Sequence, residues 1–258
     1  MPMNPRLLRP LARGRYNALR VGLVAYWPLN EDASAGDVTA EDWTGRGNNL
    51  TSNNSVPSVA GVQGNAREFT AANSEYLSAA GNNADLRFMD GRSWTFAGWV
   101  YVATTWPSNE VFAARDDVTA GNREINFRCQ IQAGLRRIVC QTAPGDSPSI
   151  LLTVGDTTVA GDNLAVDAWH FFAFTYDSSS RNGFGRVNDG VGSNKTDTAT
   201  LAAGTPPVGT TAFNLGRRQD GFGYLTGRLD EIAKWDRVLS ADELDTLYNN
   251  GAGIDLRQ

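Results

Sequence analysis

The chain has 258 residues, 27 of them glycine, with 23 basic and 28 acidic side chains for a net charge of −5. That length buries a core without staples, its two cysteines make no disulfide framework, and no apolar run approaches the ~20 residues of a membrane helix. An acidic chain without a basic face interleaved with aromatics is also a poor partner for nucleic acid.

The charge is uneven along the chain. Residues 1–20 hold Arg6, Arg9, Arg13, Arg15 and Arg20 and no acid, leaving 18 basic against 28 acidic residues in the body. The apolar residues of this segment, Leu7, Leu8 and Leu11, are interrupted by Arg and Pro, so it lacks the uninterrupted apolar stretch of a secretion signal. Pro2, Pro5 and Pro10 disfavour a continuous helix and suit an extended peptide. The expectation is a basic N-terminal arm over 1–20 that leaves the body (21–258) and lays its arginines on acidic groups of a neighbouring protein. A floppy tail, self-docking on the acidic body and exchange between protomers are the rival accounts.

Beyond the arm the pattern is that of strands joined by turns. LRVGLVAYWPL (19–29) reads as a first strand, stopped by Asn30, Glu31 and Asp32, and a polar loop with EDWTGRGNNL (41–50) follows. NAREFTAANSEYLSAA (65–80) gives two short strands, and SWTFAGWVYV (93–102) is a strongly β-prone run. EVFAARDD, EINFRCQIQ, LRRIVCQT and SILLTVGD then recur at roughly ten-residue spacing, as in a sandwich or barrel. Gly134-Leu135 reads as a type II′ turn, a register that sets Cys129 opposite Cys140, either oxidised or as two reduced thiols. AWHFFAFTYD (168–177) is the most apolar strand and an interior one, and FGRVNDGVG (184–192) reads as a hairpin across Asn188-Asp189-Gly190. TTAFNLGRR (210–218) and GYLTGRLDEIAKWDRVL (223–239) complete the strands. One helix is signalled near 241–249. Ser240 caps it, Glu243 closes a capping box, Leu239 and Leu244 sit at staple positions, and Gly251 is the expected stop.

Catalytic chemistry has no carrier in this pattern. The single histidine, His170, lies inside the most apolar strand, there is no G-x-S-x-G elbow, and no Cys/His set has zinc spacing. Trp106 in TTWPSN and Phe222 and Tyr224 in DGFGYL sit in polar, turn-like contexts, and a sugar platform, a flat ring for the apolar face of the sugar, is expected around Trp106 or Tyr224. Trp27, Trp94, Trp99, Trp169 and Trp235 fall in strand patterns and read as packing.

The segments LVAYWPLNEDASAG, DWTGRGNNLT, GNAREFTAANSEYLS, SWTFAGWVYV, AWHFFAFTYD and GRLDEIAKWDRVLSADELDTLY, in that order, resemble the laminin-G-like jelly roll of the concanavalin A-like lectin/glucanase superfamily over about 21–251. The resemblance implies an all-β fold: two antiparallel sheets of six or seven strands packed as a jelly-roll sandwich, with one short C-terminal helix. It also implies a Ca²⁺ site where the closing strand meets the N-terminal loops. The matching positions are Asp230 and Asp42, with oxygens offered by Asn48 and Asn30; the alternative is that Asp230 caps a strand end or pairs with an arginine. The two Glu and one Asp that alternate along one strand in the superfamily's glucanases are missing, which implies a non-enzyme.

With its basic arm, the chain further resembles short bacteriophage-encoded members. The expectation is therefore a virion structural or decoration protein, made in the host cytoplasm and anchored through 1–20 to capsid or tail proteins. It would be a homo-oligomer in the particle, displaying the jelly roll toward host-surface glycans. The alternative is a free carbohydrate-binding, lectin-like module.

Overall fold

The computed structural model describes residues 16–34, 37–79, 81, 83–103, 108–117, 122–142, 150–155, 164–189, 194–203 and 208–258. Two antiparallel sheets form a sandwich, as the strand pattern implies. One has the order β13 (Asn194–Thr200), β12 (Asn182–Asp189), β11 (Ala168–Asp177), β6 (Trp94–Val102), β15 (Gly227–Trp235), β4 (Asn65–Phe69) and β3 (Ser58–Ala60), with β1 (Leu23–Trp27) also paired to β15. The other runs β10 (Leu151–Val154), β9 (Leu135–Thr142), β8 (Asn122–Gln132), β7 (Asn109–Asp117), β14 (Asn214–Leu215), β5 (Tyr76–Ala79) and β2 (Leu50–Asn53).

Alternation sends one face of every strand inward, and the inner faces are rich in aromatics. Phe96 meets Phe127 at 4.6 Å and Phe112 meets Phe172 at 4.8 Å between ring centroids, while Phe88 stands edge-on to Trp94 at 5.1 Å. The strand β11 is interior, hydrogen-bonded to β6 on one side and β12 on the other. His170 is fully buried within it, with Nε2 3.0 Å from the carbonyl of Ala165. Asn188 and Asp189 of the expected Asn188-Asp189-Gly190 turn belong to the strand β12, and Gly190 lies outside the described residues.

A second core lies on the outer face of the eight-stranded sheet, where Tyr26, Trp99, Phe171 and Trp235 are covered by Leu244 and Leu247 of the C-terminal helix and by Ile254 and Leu256. That helix spans Ala241–Tyr248 and carries the expected capping box: Ser240 Oγ accepts from Glu243 N, and the Glu243 carboxylate accepts from Ser240 N. It stops at Asn249, whose left-handed φ of 47° caps the last turn two residues before Gly251.

The same core corrects the boundary of the arm. Residues 16–20 are helical and lie on the body instead of extending from it. Leu19 is fully buried, and its carbonyl accepts from Trp235 Nε1 at 2.6 Å. Arg20 donates to the carbonyls of Leu256 (2.9 Å) and Gln258 (2.7 Å), and Arg237 donates to those of Ala18 and Val21. Physically, the outer face of the sheet is apolar and needs a cover, which Leu19 helps to supply. Arg6, Arg9, Arg13 and Arg15 lie outside the described residues.

The β8–β9 hairpin also differs from its expected register. Its central residues are Ala133 (φ 52°) and Gly134 (φ 80°), a pair with positive φ at both turn positions, and Gln132 pairs with Leu135. Cys129 therefore faces Ile138 and Cys140 faces Phe127, and both are free, buried thiols of the central core. They are diagonal neighbours, at about 7–8 Å between Cα atoms for such pairs, beyond the usual span of a disulfide. Burial pushes both thiols up from their ordinary pKa. A thiol reagent at pH 8 should leave both cysteines unlabelled in the native protein and label both in 6 M guanidinium, as counted by mass spectrometry. Fast native labelling of either would contradict their burial.

Candidate functional site

The outer face of the seven-stranded sheet carries a cluster of aromatic and charged side chains on the loop after β14. After β14 the chain leaves the sheet, folds over its outer face, and returns to pair Leu225 N with Gly216 O at 2.8 Å. The excursion is tied down on both sides. Gln219 N donates to Asp116 O at 3.1 Å, and Val111 N donates to Gly223 O at 2.7 Å. At its tip, Gly221 and Gly223 take φ of 75° and 68°. This left-handed pair bends the chain on either side of Phe222 and leaves that ring 49 % exposed. Gly223 also needs its bare Cα, because a Cβ there would stand 3.0 Å from Val111 Cγ2.

Beside Phe222, Tyr224 and Tyr76 meet edge to face at 6.4 Å. The Arg217 guanidinium lies 3.4 Å from the Tyr76 ring centroid and donates to the Tyr224 hydroxyl at 3.1 Å, while its Nε is buried without a partner. Arg218 is held in a fork by Asp220 (3.1 and 2.9 Å) and lies 4.4 Å from the Phe222 ring. Below them, the buried Asp116 carboxylate accepts from Asn126 at 3.0 Å and Arg123 at 3.3 Å, and burial raises its pKa against those bonds. The outcome is a pre-ordered cluster of flat rings whose neighbouring guanidinium groups are held by Asp220, Tyr76 and Tyr224.

Tyr224 lies in this cluster, half-buried, with its hydroxyl accepting from Arg217. Its neighbours Arg217 and Tyr76 escaped sequence reading, because only the sheet order brings Tyr76 of β5 beside the loop. Trp106 lies outside the described residues. A further exposed ring, Trp43 (55 % exposed), stands in the 42–49 loop with the Arg257 guanidinium 5.0 Å from its centroid.

The four residues matched to a calcium site do not fit that ion. Calcium needs about six to eight converging oxygens. Asp42 and Asn48 come together in one loop, but the Asp42 carboxylate already accepts from the backbone N–H groups of Tyr26, Thr44 and Asn48, at 3.1, 3.0 and 3.0 Å. Asn48 itself is spent on Val24 O and Asn83. Asp230 and Asn30 hold a different turn: Asp230 Oδ2 accepts from Val62 N (2.7 Å) and Gln63 N (3.0 Å), and Asn30 Oδ1 accepts from Asn65 N (2.6 Å). No hydrogen bond joins the two pairs among the described residues, and no group of three or more His, Cys, Asp or Glu there is placed to hold a metal. Asp42, Asp230 and Asn30 instead satisfy backbone N–H donors in tight loops.

A second carboxylate cluster surrounds Asp230. Glu231 sits on a bulge of β15 at φ 52°, with a carboxylate that accepts a short hydrogen bond from the Tyr26 hydroxyl, which lies 3.2 Å from Asp255 Oδ1. Asp230 Oδ1 and Glu231 Oε1 have no hydrogen-bond partner. Burial raises Asp230 to about 7 and Glu231 to about 9. The cavity that Glu231 lines beneath Trp99, Leu247 and Leu256 measures only about 10 Å³, room for one water and none for a sugar ring.

A family model described as the concanavalin A-like lectin/glucanases superfamily matches residues 71–245. Among solved structures, the binding domain of Paraclostridial Mosquitocidal Protein 1 is similar at 15 % identity and a TM-score of 0.67, over 90 % of this chain and 53 % of that one. This chain therefore spans about half of that binding domain. Domain 4 of the extracellular arabinanase AbnA from Geobacillus stearothermophilus, solved with arabinotriose, is similar at 16 % identity and a TM-score of 0.58, over 90 % and 98 %. The binding domain of botulinum neurotoxin DC, solved with rat synaptotagmin II, gives 10 % identity and a TM-score of 0.64, over 89 % and 52 %. At these identities the likeness is one of fold. No curated protein matches the sequence.

Proposed function

We propose that this chain, which belongs to the concanavalin A-like lectin/glucanases superfamily, is a non-catalytic recognition module that binds carbohydrate on the 217–224 loop. The observation that carries the reading is Phe222, held out between two left-handed glycines beside the Arg217–Tyr76–Tyr224 stack. The fold of the arabinotriose-bound arabinanase domain supports it by analogy. The non-catalytic part is supported by the buried state of His170 and by the cramped cavity at Glu231. In its narrower form, the module is displayed on a bacteriophage particle and attached through the basic residues before Tyr16. The charge asymmetry of the sequence supports that form, and loss of particle incorporation on deleting 1–15 is its test.

The binding reading is tested on an array of neutral and acidic oligosaccharides. A protein that binds should lose affinity about 10–100-fold on Phe222→Ala and on Tyr224→Ala, as expected for removal of a stacking ring worth roughly 1.4–3 kcal/mol. Phe222→Ala should leave the melting temperature unchanged, since half of that ring is already in water. A binding protein that keeps full affinity in both variants does not use this loop.

A further inference from the structure

The opposite side of the sandwich carries a groove of about 550 Å³ on the outer face of the eight-stranded sheet, over the ends of β11, of β12 and of the edge strand β13. That volume lies in the ~300–1,000 Å³ range of ligand sites. Its floor is a grid fixed by strand register. Asp177 pairs with Asn182 and Asn182 with Thr200 in one row; Thr175 pairs with Phe184 and Phe184 with Thr198 in the next. Residues two apart on a strand share a face, so the rows stand ~6.7 Å apart and the strands ~4.8 Å apart. Phe184 is therefore the one ring on this floor, half-buried at the centre of the second row, with oxygen-bearing side chains around it. Val238, 39 % exposed, and Ser180 form the walls.

The polar atoms of the floor are pre-set. The Asp177 carboxylate accepts from the hydroxyls of Ser179 (2.7 Å) and Ser180 (2.8 Å), bonds that hold it ionised. Thr200 Oγ1 donates to Asn182 Oδ1 at 2.7 Å, which turns the Asn182 amide N–H groups toward other acceptors. Serine and threonine hydroxyls that donate within the protein keep lone pairs to accept from a ligand. An apolar patch the size of one ring, ringed by hydroxyls, an amide and one carboxylate, matches a neutral polyol with one apolar face. It offers no cationic fork for a phosphate or a carboxylate. We propose that this groove is a second carbohydrate site, separate from the 217–224 loop and on the other face of the sandwich, with a sugar ring lying on Phe184 and its hydroxyls shared among Asp177, Asn182 and Thr198.

The test is an amide NMR titration of the ¹⁵N-labelled full chain with malto-, cello- and arabino-hexaose. At least one hexaose should shift the amides of residues 182–184 and 198–200, with the effect retained in Tyr224→Ala and reduced at least tenfold in apparent affinity in Phe184→Ala. Thr198→Lys fills the groove from an exposed position on an edge strand, leaves the cores untouched, and should abolish the same shifts. The site is refuted if no hexaose shifts these amides, or if the shifts persist in Thr198→Lys. Shifts confined to 217–224 refute this site while leaving the loop reading intact.

Discussion

Glu231→Gln should flatten the pH dependence of unfolding and make the protein more stable than wild type at pH 9. The Glu231 carboxyl is held at about 9 by burial, and that of Asp230 at about 7. In the unfolded chain both return to the ordinary carboxyl range near 4. Between those limits the native state keeps protons that the unfolded state has released, so stability falls as pH rises. The contribution is complete below about pH 4, declines through 7 as Asp230 ionises, and is exhausted above 9. Each unit of the window weakens the fold by up to ~1.4 kcal/mol per group, so the two windows together set an upper bound on the order of 10 kcal/mol. Glutamine keeps an acceptor for the Tyr26 hydroxyl and removes the titration. Urea unfolding at pH 5, 7 and 9 measures the difference. A wild-type stability that is level or rising over this range would mean that Glu231 is ionised in the folded protein.

The second large effect separates two truncations that differ by five residues. Removing 1–15 should leave the melting temperature of the body unchanged. Removing 1–20 should lower stability by about 3–8 kcal/mol. It takes the fully buried Leu19 out of the outer core, a loss of about 2–5 kcal/mol for a large-to-small change. It also leaves Trp235 Nε1 buried without its acceptor, at about 1–3 kcal/mol. Differential scanning calorimetry of the two proteins reads this directly, and equal melting temperatures would show that 16–20 contribute nothing to the body. Arg20→Ala, which removes the bonds to Leu256 and Gln258 while sparing Leu19, should fall between the two.

Strand identity and the C-terminal helix were legible because both rest on local periodicity. The interior place of β11 follows from an unbroken apolar run, and the helix start follows from Ser240 and Glu243. The β8–β9 register was not legible. Gly134 reads as the first turn position, and a one-residue shift of the turn toward Ala133, which accepts φ 52°, places Cys129 and Cys140 diagonally instead of directly opposite. The carboxylates of Asp42 and Asp230 carry the same ambiguity in another form. A residue type that binds calcium also accepts from backbone N–H groups, and sequence cannot tell which donors a loop will bring. The floor of the β11–β13 groove was invisible for a simpler reason: Asp177, Asn182 and Thr200 become neighbours only through strand order. Charge marks the arm as far as Arg20, whereas the buried Leu19 ties residues 16–20 to the body.

The contacts of residues 16–20 also set how the domain bears a mechanical load. Without them, a pull on the N-terminal end would reach β1 at Leu23 and unzip it from β15 one hydrogen bond at a time. With them, the force passes first through Leu19 and Trp235, through Ala18, Val21 and Arg237, and through Arg20 and the carbonyls of Leu256 and Gln258. Two of these routes end on β15 or just beyond it, and β15 lies between β6 and β4 inside the sheet. The load is thus shared by several bonds that must fail together, which slows forced unfolding because that process is governed by the unfolding rate. A single-molecule pull on the N-terminal end should therefore rupture Arg20→Ala at lower force than wild type, even at a loading rate where their equilibrium stabilities play no part.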